Sequence, residues 1–126
     1  MTEIQQTNPS QRTVCIDLDG TIASNKNWET DPWTIGDPVM GAREELVRLA
    51  QKYYIAIHTT RALDPIQIPI VEEWLKVHGI PFDIVTASKV HAKVYIDDRA
   101  IPFNGDWSGI ADKVDEHNCW DRQNNG

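Results

Sequence analysis

Basic residues are scarce in this chain: twelve Lys and Arg stand against nineteen Asp and Glu, a formal net charge of −7. That balance disfavours sequence-blind binding to a nucleic-acid backbone, which needs a cationic surface. It leaves room for a small anionic substrate, because a metal ion and a few Lys or Arg make a local positive site. Cysteine is also scarce, with only Cys15 in a presumed core strand and Cys119 in a polar tail. A disulfide between them is not expected, and two plain thiols fit a reducing cytoplasm. No apolar run approaches the length of a membrane span. The opening residues, Met1 to Arg12, lack the apolar segment of a secretory signal. These absences give the expectation of a cytoplasmic protein with no membrane partner. His78, His91 and His117 show no metal-ligand spacing and read as surface residues. No internal repeat or low-complexity segment is present.

What remains is 126 residues with five Trp and an apolar fraction of 40%, enough for one domain around one core. Residues 1–12 read as a flexible arm, 13–117 as the domain, and 118–126 as a flexible tail. Val14 to Asp17 is β-prone and reads as a buried first strand. Val39, Ala42, Leu46, Leu49, Ala50 and Tyr53 recur at helical spacing, with Asp37 as the N-cap and Pro38 at the first turn. Tyr54 to Ile57 is a second strand with a polar end at His58, Thr59, Thr60 and Arg61. A second helix is expected from near Pro69, with Val71, Trp74 and Leu75 inward, ended by Gly79 and Pro81. Asp83 to Thr86 and Val94 to Ile96 are further short strands, and 107–117 a final helix. Strands alternating with helices predict an α/β fold: a three-layer, Rossmann-like parallel sheet covered on both faces. In such sheets ligands bind at the carboxyl ends of the strands. The polar clusters fall at those ends: Asp17 with Asp19, Thr59 with Arg61, Asp97 with Asp98.

The stretch Asp17-Leu18-Asp19-Gly20-Thr21 carries the strongest signal. It follows the first strand directly, and Gly20 permits a sharp departure. Residues two apart on an extended backbone share a face, so Asp17 and Asp19 are expected to converge on one point. Two carboxylates that close need a cation between them, or one must hold a proton. A hard divalent cation such as Mg²⁺ suits their oxygens. An ordinary acidic turn after a strand is the plainer alternative.

Together these residues resemble the haloacid dehalogenase-like (HAD) superfamily of aspartate-nucleophile phosphotransferases, over roughly Val14 to Arg99. The matching motifs are Asp17-Leu18-Asp19-Gly20-Thr21, then Ile55-Ala56-Ile57-His58-Thr59 followed by Arg61, then Tyr95-Ile96-Asp97-Asp98. The family's remaining motif is a Lys upstream of the acidic pair; Lys89 fits its usual spacing, with Lys93 as competitor. The resemblance implies a Mg²⁺-dependent phosphomonoester hydrolase, acting through an aspartyl-phosphate on Asp17. It implies metal ligation by Asp17, by the backbone carbonyl of Asp19 and by Asp97, supported by Asp98. Asp19 takes the acid/base role, while Thr59 and Lys89 meet the phosphoryl oxygens. Gly20, Thr60, Arg61 and Arg99 complete the substrate contacts, the two arginines because a guanidinium suits oxyanions; either could equally pair with an acidic neighbour. His58, beside Thr59, reads as structural.

The segments that hold a separate cap domain in larger members of that family are short here, so the resemblance implies a capless member. Residues 22–38 form a long loop with Trp28 and Trp33. It reads either as a flap over the strand ends or as a loop whose tryptophans pack on the core edge. The open site suits a large substrate or cover by a partner subunit, so homo-oligomerisation is an open expectation. The substrate class is a small phosphorylated compound, with a nucleotide, a sugar phosphate or, less favoured by the charge, a nucleic-acid end. The alternative from another class is an idle domain that binds a phosphorylated ligand. Dehalogenase chemistry is a third reading, weakened by the acidic pair at 97–98.

Overall fold

A computed structural model describes residues 12–25, 31 and 33–120. The N-terminal arm up to residue 11, Trp28 and residues 121–126 lie outside the described residues. Four strands form one all-parallel sheet in the order β3-β2-β1-β4. They are β1 (Thr13–Asp17), β2 (Tyr54–His58), β3 (Ile84–Thr86) and β4 (Val94–Ile96). Between and after them run α1 (Ala42–Ala50), a 3₁₀ turn (Thr60–Leu63), α2 (Gln67–Val77) and α3 (Ile110–Glu116). The arrangement is a small α/β fold of Rossmann-like character, and no described helix is long and apolar enough to cross a membrane.

The core explains why β1 and β2 are central. Val14, Cys15 and Ile16 of β1 and Ile55, Ala56 and Ile57 of β2 are buried, and Val71 and Leu75 of α2 join them at 0% exposure. A run apolar at every position, not at alternate ones, is what a parallel strand buried on both faces requires. Each such Ile, Leu or Val contributes about 1.5–3 kcal/mol relative to the exposed side chain. Trp74 packs against this cluster from its rim, in tilted contact with the half-buried ring of His78 at a centroid distance of 4.5 Å. His78 is thus a packing residue and not a surface one.

The sheet is not covered at its β4 edge. Val94, Tyr95 and Ile96 are 46%, 40% and 39% exposed, and no residue of α3 is buried. The expected cover on both faces therefore holds for β1 and β2 but fails for β4. The final helix is too short, and too polar after Ile110, to bury a strand.

Two element starts differ from the sequence pattern. The segment 37–39 pairs with 22–24 through Ser24 N–H to Asp37 C=O (2.7 Å) and Val39 N–H to Ile22 C=O (2.8 Å). That pulls Asp37 and Pro38 out of the helix. α1 starts at Ala42 behind Gly41, which takes a left-handed φ of 89° in place of an Asp37 cap. α2 starts at Gln67, ahead of Pro69; the ring is tolerated because first-turn N–H groups have no helical acceptor. Asp83 stands outside β3 and clamps β2, its carboxylate accepting from Ile55 N–H at 2.7 Å and its own N–H donating to Ile55 C=O at 2.8 Å.

Candidate functional site

All four strands point the same way, so the residues that follow β1, β2 and β4 meet at one end of the sheet. Asp17 is the last residue of β1 and is in register with His58 of β2. Ile16 is in register with Ile96, which places Asp97 beside Asp17. After β1 the chain wraps around one atom: the carbonyl of the fully buried Leu18 accepts from the N–H groups of Thr21, Ile22 and Ala23 at 3.2, 3.0 and 2.9 Å. Gly20 sits inside this turn with a φ of 92°, a left-handed conformation open to glycine. A Cβ there would also collide with the Asp98 carboxylate.

Asp17, Asp97 and Asp98 converge. Each offers one carboxylate oxygen, and the three oxygens lie within 4.8 Å of one another. Burial, followed by the charges of Asp97, Asp98 and Asp19, pushes the Asp17 carboxyl from 3.8 up to about 8. Asp98 Oδ2 is buried with no hydrogen-bond partner among the described residues. Thr21 Oγ1 lies 3.5 Å from both Asp17 Oδ2 and Asp98 Oδ1, at the outer limit of a hydrogen bond. Three crowded carboxylates and an orphaned oxygen are the environment a hard cation would relieve, and an all-oxygen donor set fits Mg²⁺ or a similar ion.

Asp19 does not join this cluster with its side chain. Both its oxygens accept from Arg61, Oδ2 from Nε at 2.9 Å and Oδ1 from Nη2 at 3.0 Å, and the pair is largely buried. The expected convergence of Asp17 and Asp19 on one point is therefore replaced by a division of labour. The turn at Leu18 directs Asp17 toward β4 and Asp19 toward the residues after β2. Arg61 also donates through Nη1 to the Trp33 carbonyl at 3.0 Å, so it holds the returning loop against the site. Trp33 itself is 76% exposed, which removes the reading in which its ring packs on the core edge.

The remaining expected residues sit as follows. Thr59 is 2% exposed and its hydroxyl caps the 3₁₀ turn, accepting from Arg61 N–H at 3.1 Å. Thr60 is exposed at the start of that turn. Arg99 is exposed and donates its backbone N–H to Asp97 Oδ1 at 2.8 Å. Lys89 Nζ lies 4.7 Å from the centroid of the Tyr95 ring, a cation–π contact. Lys93 donates its backbone N–H to the carbonyl of Thr13, at the opposite end of β1 from Asp17. Four residues of strand, roughly 13 Å at about 3.3 Å each, separate the two ends. His58 is half-buried and its Nε2 donates to Ala87 C=O at 3.2 Å, a structural role. Cys15 and Cys119 form no disulfide with each other, and burial pushes the Cys15 thiol up.

Two further residues reach the site: His117, expected as a surface residue at the end of the final helix, and Trp120, expected in the flexible tail. His117 Nε2 donates to the carbonyl of Asp98 at 2.9 Å, and the Trp120 indole N–H donates to the carbonyl of Gly20. Trp120 lines a recess of about 280 Å³ with Gly20, Thr21, Asp97 and Asp98. The only sequence signal for this contact is a single aromatic in an otherwise polar segment. Compared with protein-family models, curated proteins and solved structures, the chain matches none.

Proposed function

We propose that this protein is a Mg²⁺-dependent phosphomonoester hydrolase of the haloacid dehalogenase-like type, with Asp17 as nucleophile. The observation that carries the reading is the convergence of Asp17, Asp97 and Asp98 around the orphaned Asp98 oxygen, at the carboxyl end of a parallel sheet. Asp17, Asp97 and Asp98, with a backbone carbonyl of the 18–20 turn, would hold the cation. The bound ion supplies charge neutralisation, without which a phosphate dianion repels a carboxylate nucleophile. Asp17 attacks phosphorus and displaces the alcohol, giving an aspartyl-phosphate. Asp19 gives a proton to the leaving alkoxide, then takes one from the water that hydrolyses the acyl phosphate. Each Asp19 oxygen accepts one bond from Arg61 and keeps a further lone pair on which a proton can be carried. Thr59 would supply a hydroxyl and Lys89 an ammonium to the phosphoryl oxygens, and Arg99 borders the site on the β4 side.

The closed Asp19–Arg61 pair also favours a second reading, a domain that binds a phosphorylated ligand without turning it over. A panel of phosphomonoesters assayed with Mg²⁺ and with chelator separates the two. Metal-dependent release of phosphate, abolished in Asp17→Asn, is the expected result. Binding of phosphorylated compounds with no turnover of any would leave the binding domain.

A further inference from the structure

We propose that His117 and Trp120 are positioning residues for the carboxylate site, tying together the two loops that carry its ligands. The inference rests on the cation-binding part of the reading above, not on turnover. The two donors lie three residues apart just after α3, and they reach loops far apart in sequence. His117 holds the carbonyl of Asp98, the residue with the orphaned oxygen. Trp120 holds the carbonyl of Gly20, one peptide beyond Asp19.

Both loops need an external tie. Gly20 has the loosest backbone in the turn, and the space a Cβ would use is filled by Asp98. Its N–H is already fixed to Ala23 C=O at 2.7 Å, so the indole holds the other half of the residue. Asp98 lies beyond the end of β4, at an edge that no buried helix residue supports. The segment from 97 to 109 has no helix or strand of its own to hold it. α3 in turn buries no residue, so hydrophobic packing does not explain why 117–120 lies on the site. What fixes this segment is the pair of donors, with the half-exposed Trp120 forming one wall of the recess beside Asp97 and Asp98. Because a carbonyl only accepts, His117 carries its proton on Nε2. Ligands held in place before the cation arrives cost less to organise when it binds.

The test uses the full chain and two probes. Tb³⁺ takes the same oxygen ligands as other hard cations and emits when a nearby indole is excited. Wild-type protein should show this emission, displaced by Mg²⁺. Trp120→Phe keeps a ring but loses the N–H and the indole. It should lose most of the emission and bind Mg²⁺ more weakly by about two- to tenfold, the scale of one hydrogen bond. His117→Ala should weaken Mg²⁺ comparably and keep the emission, and His117→Gln, which retains a donor, should restore affinity. In the metal-free protein, amide exchange over residues 17–23 and 97–101 should quicken in Trp120→Phe and His117→Ala, with 54–58 unchanged. Unaltered Mg²⁺ affinity and unaltered exchange in both variants would overturn the proposal, as would wild-type protein that binds neither ion. Wild-type protein that binds both ions, shows the variant effects and hydrolyses no phosphomonoester would remove the hydrolase and keep the clamp.

Discussion

The carboxylate of Asp98 occupies the space in which a side chain at residue 20 would begin, so Gly20 and Asp98 are sterically exclusive. Residues 78 apart in the chain thus share one position, and the turn after β1 closes only because residue 20 has no Cβ. Gly20→Ala should cost about 1–2 kcal/mol from the left-handed backbone alone, with the collision added. Denaturant unfolding measures the total. Adding Asp98→Ala to Gly20→Ala removes the collision and leaves the backbone strain, so the double variant should be less destabilised than the two single losses summed. Strict additivity would mean that the two residues do not compete for space.

Asp17 gives a pH signature. Its carboxyl is held at about 8 when folded and lies near 3.8 when free. Between those values the native chain keeps a proton that the unfolded chain has lost. The stabilisation from this group is therefore complete below about pH 4, declines as pH rises, and is gone above about pH 8. In metal-free protein, Asp17→Asn should flatten that decline and raise the melting temperature at pH 8, because it removes a buried charge. Mg²⁺ should stabilise wild type more at pH 8 than at pH 6, since at the lower pH it must displace the proton. A melting temperature that rises from pH 6 to pH 8 in chelator, in wild type but not in Asp17→Asn, would show that the crowding of carboxylates is not as described.

How far the chain could be read in advance depends on whether a feature is local. Val14–Ile16 and Ile55–Ile57 announce buried parallel strands because each is apolar throughout, and parallel strands bring Asp17 and Asp97 to one end of the sheet. The carboxylate cluster follows from that topology. Asp19 was not legible in the same way. Its partner Arg61 is 42 residues away, and the choice between Asp17 and Arg61 is made by the Leu18 turn, whose three converging N–H groups leave no pattern in residue types. The late start of α1 has the same origin, because the pairing of 22–24 with 37–39 overrides a cap that Asp37 and Pro38 suggest. The role of the 117–120 segment rests on two hydrogen bonds to backbone carbonyls, which any sequence offers.

Thr59 has one observed role and one proposed role, and substitutions separate them. Its buried hydroxyl caps the 3₁₀ turn through Arg61 N–H, and the proposed mechanism also turns it toward phosphate. Thr59→Val removes both and should cost about 1 kcal/mol in stability, the usual loss for a side-chain cap. Thr59→Ser retains the oxygen and should keep most of the stability and the turnover. If Thr59→Val turns over phosphomonoesters at the wild-type rate after correction for the folded fraction, the hydroxyl is a cap alone.

Asp17 and Asp19 are chemically alike, and the structure gives them different surroundings, so their asparagine variants should fail differently. Asp17→Asn removes the proposed nucleophile and one of three clustered carboxylates, so it should form no covalent phosphoryl-enzyme and should bind Mg²⁺ weakly. Asp19→Asn keeps the backbone carbonyl of residue 19 and all three cluster carboxylates, so Mg²⁺ binding should largely survive. It does, however, leave the guanidinium of Arg61, 8% exposed, without its carboxylate, at a stability cost of about 1–3 kcal/mol. Its catalytic loss is that of the proton donor and base, about a hundred- to ten-thousandfold. The loss in the first step should be largest with a poor leaving group and smaller with an activated aryl phosphate, which departs without a proton. Phosphoryl-enzyme should then accumulate, because the second step still lacks its base. Arg61→Ala provides the control that the ion pair demands. It frees Asp19 while removing the same interaction, so an effect of the pair on folding appears in both variants and an effect of the proton appears only in Asp19→Asn. Single-turnover trapping with both leaving groups, alongside Mg²⁺ titration and unfolding, measures all of these. Covalent phosphoryl-enzyme in Asp17→Asn at the same site would displace Asp17 as nucleophile. Equal losses with poor and good leaving groups in Asp19→Asn, matched by Arg61→Ala, would make Asp19 the anchor of Arg61 and not an acid.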